Sequence, residues 1–201
     1  MVVETTVRDL LMDTTERLIA ERGMTVSLRE IAAGAGQRNN SAPIYHFGNY
    51  DNLLKATLAR RMEGLERRRK ELLADLNARG DVTLADVLRA IVEPALEIPY
   101  REGATHYARF VEQIRTHPVI SHAVLAEESW PVVVALTRRL RSHMPALERG
   151  EYPRRIRLMV TTMFALMGDY ERRGELNSPR GRKRAATELV AVLSSILTVS
   201  W

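Results

Sequence analysis

Ser27-Leu-Arg-Glu30-Ile31-Ala-Ala-Gly34-Ala-Gly36, followed by Gln37-Arg-Asn-Asn-Ser41-Ala-Pro43-Ile-Tyr45-His46-Phe47, reads as two short helices about a glycine turn. Ser27 and Glu30, three positions apart, form a capping box that opens the first of them. Leu28, Ile31, Ala32 and Ala35 supply its apolar stripe, and Gly34 or Gly36 ends it. Proline is tolerated only in a first helical turn, so Pro43 places the start of the second helix just before it, with Asn39 or Asn40 as cap. Upstream, Val7, Leu10, Leu11, Leu18 and Ile19 fall at helical spacing and Gly23 stops the run. Downstream, Asp51 caps a long helix carrying Leu53, Leu54, Leu58, Met62 and Leu65.

The same periodicity fills the rest of the chain, and no stretch alternates strictly enough to require a strand. Further helices are expected at 84–98, 104–116, 119–128, 131–143, 152–173 and 180–199, punctuated by Pro99, Pro118, Pro145 and glycines. The expected fold class is all-α, with about nine to ten helices. An N-terminal helix-turn-helix unit, residues 1–50, runs without a flexible hinge into a larger helical bundle, residues 51–201.

The chain has 201 residues and no cysteine, which excludes disulfides, thiolate metal sites and cysteine nucleophiles. The longest nearly apolar run, Leu189 to Val199, is shorter than the roughly 20 residues a membrane span needs. The start lacks a basic flank and an apolar stretch, so a cytoplasmic protein without membrane contact is expected. The net charge of +5 is unevenly placed. Residues 1–50 carry five basic and six acidic side chains, whereas the excess lies in Arg60 to Lys70 and in Arg154 to Arg184. Such runs are expected to be solvated helix faces.

Two short helices under an amphipathic first helix can present the second of them to a DNA major groove. The Ile31-Ala-Ala-Gly34-Ala-Gly36 turn, the Tyr45-His46-Phe47 triplet and Asp51-Asn-Leu-Leu, in this order after Leu18-Ile-Ala-Glu-Arg-Gly23, resemble the TetR family of bacterial transcriptional regulators. The resemblance covers roughly residues 5–60 and extends to the rest only in length and helical outline. It implies an N-terminal DNA-binding domain, a C-terminal ligand-binding and dimerisation domain, and repression relieved by a small molecule. Two departures stand out. The segment Gly36 to Phe47 is about one residue longer than the commonest family spacing, and Tyr50 stands where members usually carry Lys or Arg against a phosphate.

Gln37, Arg38, Asn39 and Asn40 have base-reading capacity, Arg toward guanine and Asn or Gln toward adenine. The two asparagines are equally well read as caps. Thr25, Ser27, Ser41, Tyr45 and His46 are carried over from the family motif as contacts to DNA, and the Tyr50 hydroxyl could donate to a phosphate. Phe47 is read as a core wedge, and Ile44 stays open.

An effector pocket would be built from bundle interiors. Met62, Tyr100, His106, Tyr107, Phe110, Gln113, Trp130, Met159 and Met163 are the candidates, with core packing as the plain alternative. They suggest a mostly apolar ligand. Met167, Ala186, Leu189, Val190, Leu193, Ile196 and Leu197 give the last two helices broad apolar faces, and the homodimer is placed there. The expected partners are therefore double-stranded operator DNA, a small-molecule effector and a second copy. No cofactor, metal or catalytic residue is expected, because the five histidines make no His-Glu-x-x-His pattern and no phosphate-loop or nucleophile-elbow motif occurs. Glu127 and Glu128 near His122 are read as an exposed loop or helix end. The alternatives are a helical ligand carrier that does not read DNA and a helical enzyme using buried acids.

Overall fold

A computed structural model describes residues 6–97, 106–120, 130–144 and 150–199. Among them there is no strand. The helices are α1 (Val7–Arg22), α2 (Leu28–Gly34), α3 (Ala42–Phe47), α4 (Tyr50–Ala78), α5 (Leu84–Leu96), α6 (Tyr107–Ile114), α7 (Pro131–Leu140), α8 (Glu151–Arg172) and α9 (Pro179–Thr198). Residues 118–120 are also helical, and the remainder of the helix expected at 119–128 lies outside the described residues, as do Tyr100, His122, Glu127 and Glu128.

Local chemistry sets most starts. Thr6 with Asp9, Ser27 with Glu30 and Thr83 with Asp86 form capping boxes, and Ser178 accepts from the amide of Gly181. Two caps differ from expectation. α3 begins after Ser41 rather than Asn39 or Asn40, because Asn39 Oδ1 accepts the Ser41 amide at 2.9 Å and closes the turn before the helix. α4 is capped by Asn49, which accepts the Asn52 amide at 2.8 Å, so Asp51 sits inside the first turn. There its charge still complements the helix dipole.

α6 and α7 have no side-chain cap of their own and borrow carboxylates from distant helices. Glu171 of α8 accepts the amides of Ala108 and Arg109, both at 3.0 Å. Glu66 of α4 accepts those of Val132 and Val133 at 2.8 and 3.0 Å. These long-range caps fix where the short helices dock, a register that no local pattern encodes.

One apolar cluster runs from Leu11 through Leu54, Leu88 and Phe110 to Leu197, so the N-terminal helices and the bundle share a core. α6 lies between α1 and α8, while α9 packs on α5 and α8. The basic runs are not uniformly solvated. Arg67, Arg68 and Lys70 are exposed, but Arg60 and Arg61 turn toward α1, and Arg69 and Arg155 are buried. Arg155 Nη1 donates to the Leu197 carbonyl at 2.6 Å and ties α8 to the end of α9. A guanidinium can reach such carbonyls while its alkyl stem packs in the core, which charge counting does not register.

Candidate nucleic-acid interface and bundle core

α2 stops where the backbone turns left-handed at Gly36, φ +70°, and the amides of Gly36 and Gln37 return to the carbonyls of Ala33 and Ala32. Gly34 is needed for a different reason: a Cβ there would stand 2.9 Å from Thr14 Cγ2, so α2 crosses α1 at a contact only glycine fits. The turn thus joins α2 to α3, which packs on α2 and α4.

α3 buries Ala42, Pro43 and Phe47 and leaves Ile44 and Tyr45 exposed, Tyr45 at 84%. Arg8 pins its end: Nη1 donates to the His46 carbonyl at 3.2 Å and the guanidinium lies 4.6 Å from the centre of the Phe47 ring. Arg8 was not among the residues the sequence singled out, since a cation in a first helical turn gives no signal of a partner 38 residues away.

Arg38, Asn39, Asn40 and Ser41 are exposed beside α3. They precede the helix rather than ride on it. Gln37 is part-buried, its amide donating to the Ala35 carbonyl at 3.1 Å. Thr25 and Ser27 are exposed, but their hydroxyls have local work. Thr25 donates to the Arg22 carbonyl at 3.4 Å, and Ser27 donates to Glu30 at 2.7 Å. The Ser27 amide, the Ser27 hydroxyl and the Arg22 guanidinium together hold the Glu30 carboxyl down at about 2. His46 is half-buried, edge-on to Tyr45 at 5.0 Å. Tyr50 departs from expectation: its hydroxyl is enclosed without a hydrogen-bond partner, and its ring packs against the core, so it is not offered to a phosphate. At the first position of α4 the ring points inward because that face of the helix carries Leu54.

Behind this surface, α1 and α4 are clamped by charge. Arg60 pairs with Asp13 and reaches Asp9 at 3.5 Å, while Arg61 Nε donates to Glu16 Oε2 at 2.6 Å. Glu16 is fully buried, and burial pushes its carboxyl up to about 7 despite Arg61. On the other side of α1, His106 Nε2 lies 3.8 Å from Glu21.

Of the effector residues expected from sequence, Met62, Tyr107, Phe110, Met159 and Met163 are buried together in the core, and His106 and Trp130 are half-buried. Gln113 does not join them. It is exposed on α6 and its Oε1 stands 3.4 Å from where a Cβ on Gly23 would be, at the α1 boundary. Tyr107 donates to the Met62 thioether at 3.6 Å and meets Phe164 edge-on at 6.0 Å, and burial drives its phenol up to about 12. Arg69 is 3% exposed; Nη2 donates to the Ile91 carbonyl at 3.1 Å, while Nε and Nη1 have no hydrogen-bond partner. A cleft of about 520 Å3 opens elsewhere, bounded by Arg89, Glu93, Pro179 and Lys183. Among the described residues no group of three or more His, Asp or Glu side chains stands together as a metal site would need, and no helix is long and apolar enough to cross a membrane.

The expected dimer residues need correcting. Met167, Ala186, Leu189, Val190, Leu193 and Leu197 are buried within the single chain, and Ile196 is partly so. The broad apolar faces of α8 and α9 are consumed against α5, α6 and each other. Among the described residues, the large apolar side chains left exposed fall in two groups: Val7, Leu10, Ile44 and Tyr45 on α1 and α3, and Leu158, Val192 and Val199 on α8 and at α9.

Comparison with known proteins adds three findings. Residues 89–198 match the family profile described as "Tetracyclin repressor-like, C-terminal domain". No curated protein matches the sequence. Solved structures share the fold over nearly the whole chain. The TetR-like transcriptional regulator LfrR from Mycobacterium smegmatis, in complex with proflavine, is 18% identical, with 97% of this chain and 99% of that one covered at a TM-score of 0.56. A putative tetR family transcription regulator from Shewanella sp. PV-4 is 14% identical, covering 93% and 97%, at 0.62. NalD, the secondary repressor of the MexAB-OprM multidrug efflux pump in Pseudomonas aeruginosa, is 18% identical, covering 97% and 98%, at 0.53.

Proposed function

The chain belongs to the tetracyclin-repressor-like family of transcriptional regulators, and from that membership we propose a repressor that grips a near-palindromic operator as a homodimer and lets go when a small molecule enters its bundle. Residues 1–50 read DNA, and residues 51–201 bind the effector and the second copy. The observation that carries this reading is the exposed surface of α3 and its preceding turn, with Arg38, Asn40, Ser41 and Tyr45 free of the core while Arg8, Gly34 and Gly36 hold the scaffold beneath them.

Arg38 is the base-reading side chain, since a guanidinium meets guanine O6 and N7 in two hydrogen bonds. Asn39 keeps its amide donors and Asn40 its whole side chain for a neighbouring adenine. Tyr45, His46, Ser41, Thr25 and Ser27 line the phosphates, where they set position rather than sequence. The acidic side chains of α1 do not oppose this, because Asp9, Asp13 and Glu16 are turned to Arg60 and Arg61.

Leu158, Ala165, Val192, Ser195 and Val199 form the dimer face, the solvent side of α8 and α9. A second copy packed there gives a four-helix interface and sets two α3 helices about one DNA turn, roughly 34 Å, or a multiple apart. Effector binding beside Tyr107 and Met62 acts on α4 and α6, and the Arg61–Glu16 and Arg60–Asp13 pairs transmit their displacement to α1. The homodimer acts in the cytoplasm and is not an enzyme.

The test is a mobility shift with DNA flanking the gene for this chain. The proposal expects a shift by wild type that Arg38→Ala weakens without lowering helicity. The same DNA shifted equally well by folded Arg38→Ala and by wild type would overturn the assignment of α3 and its turn.

A further inference from the structure

Three donors in the bundle core are poorly served. Arg69 Nε and Nη1 have no acceptor, and the Tyr107 hydroxyl has only a thioether. Thioether sulfur is a weak acceptor. One carboxylate stands close, Glu66, 3.9 Å from Arg69 Nη1. Its two oxygens are already engaged, accepting the Val132 and Val133 amides at the start of α7. Glu66 therefore offsets the charge of Arg69 without meeting its hydrogen bonds. Tyr107 and Glu66 are the electrostatic neighbours of this guanidinium, and Ile91 supplies its single carbonyl.

Folded proteins rarely leave buried donors unmatched, and those that persist call for an explanation. Structure alone does not supply one here. The Nη2 bond to Ile91 ties α4 to α5, but a methionine of similar volume would fill the space without burying a cation, a replacement that is often neutral or stabilising. Met62 and Phe164, which touch Tyr107, can adapt in shape, and neither they nor the Tyr107 oxygen accepts from Nε or Nη1.

We propose that the core around Arg69 is the effector site and that its ligand is an apolar molecule bearing a carboxylate, or an equivalent anionic acceptor, received by Arg69 Nη1 and by the Tyr107 hydroxyl. The proposal rests on the effector reading above and adds the ligand's chemical class, replacing the mostly apolar ligand expected from composition. A carboxylate can take one bond from the guanidinium and one from the phenol while matching the charge of Arg69, and such charge-assisted bonds are about twice as strong as neutral ones. The rest of the ligand lies against Met62 and Phe164, and Trp130, just before α7, is placed to report its arrival.

The experiment uses the full chain and three matched probe sets: decanoate, 4-phenylbutyrate and 2-naphthoate, each with its primary amide and its amine. Thermal shift and tryptophan fluorescence give the affinities. The expected result is at least one frame whose carboxylate binds about tenfold or more tightly than its amide, with the amine weakest. Arg69→Met should lose that preference while keeping the melting temperature of the unliganded protein. The wild-type comparison of acid with amide stands by itself should the variant fold poorly. Amides or amines that bind as well as the acids, in wild type and Arg69→Met alike, overturn the acid-specific site and leave the effector reading intact. Donors satisfied by buried water would give that same result. Failure of every probe of every charge to bind overturns both the site and the bundle as an effector domain for molecules of this size.

Discussion

Arg61 and Glu16 meet at 2.6 Å across the α1–α4 contact, and Glu16 is fully buried beneath it. This pair joins the DNA-facing helices to the bundle where Glu16 is out of water and Arg61 is mostly so. Removing one partner leaves the other stranded, which typically costs about 3–5 kcal/mol. Arg61→Met should therefore lower the urea midpoint far more than the exposed Arg67→Ala.

Glu16 also carries a pH signature. Its carboxyl ordinarily titrates at 4.5 and in the folded chain at about 7. The folded state then binds the proton more tightly than the unfolded state. The stabilisation this group gives is full below about 4.5 and is lost as pH rises toward 7, by up to about 3 kcal/mol. The carboxyls of Asp9, Glu30 and Asp86 are shifted the other way and lose their contributions at lower pH, outside this window. Urea titrations at pH 5 and pH 8 should show wild type losing stability at the higher value and Glu16→Gln losing much less. Equal losses would contradict the assignment.

The turn before α3 gives a backbone prediction. Gly34→Ala forces a Cβ to within 2.9 Å of Thr14 Cγ2 and should cost about 1–3 kcal/mol by displacing α2 from α1. Gly36→Ala meets nothing within 4 Å but must adopt φ +70°, a strain of about 1–2 kcal/mol. The two should differ in their effect on DNA: Gly34→Ala moves the whole unit, whereas Gly36→Ala acts on the turn that presents Arg38.

Oligomeric state separates the two apolar faces of α9. Val192→Asp together with Leu158→Arg should yield a folded monomer by sedimentation, with helicity kept. Leu193→Ala, one residue along but fully buried, should leave the dimer contact intact and cost about 2–5 kcal/mol of stability. Dissociation by Leu193→Ala alone, at unchanged stability, would restore the buried face as the interface.

Much of this architecture was legible in the sequence because local chemistry encodes it. Ser27 and Glu30 form their capping box, Gly36 takes the left-handed turn, Pro43 lies in the first turn of α3, and Phe47 is in the core. What failed depends on what a face packs against. Leu189 and Leu193 have the periodicity of an interface, but so does any helix buried against α5, and a single sequence cannot say which partner claims the face. The arginines misled similarly. Arg60, Arg61 and Arg69 look like a solvated run, and only the fold brings Asp13, Glu16 and the Ile91 carbonyl to them. Tyr50 was misjudged because a family position suggested its role, while its place in α4 turned the ring inward.

Sequence-specific DNA recognition is the core of this account, and selection from random duplexes tests it most directly. The purified protein, taken through several rounds at fixed salt, should enrich an inverted repeat whose half-sites lie about one helical turn or more apart, with a guanine in each that Arg38→Ala ceases to prefer. Pools that stay random after binding by a folded dimer would contradict it.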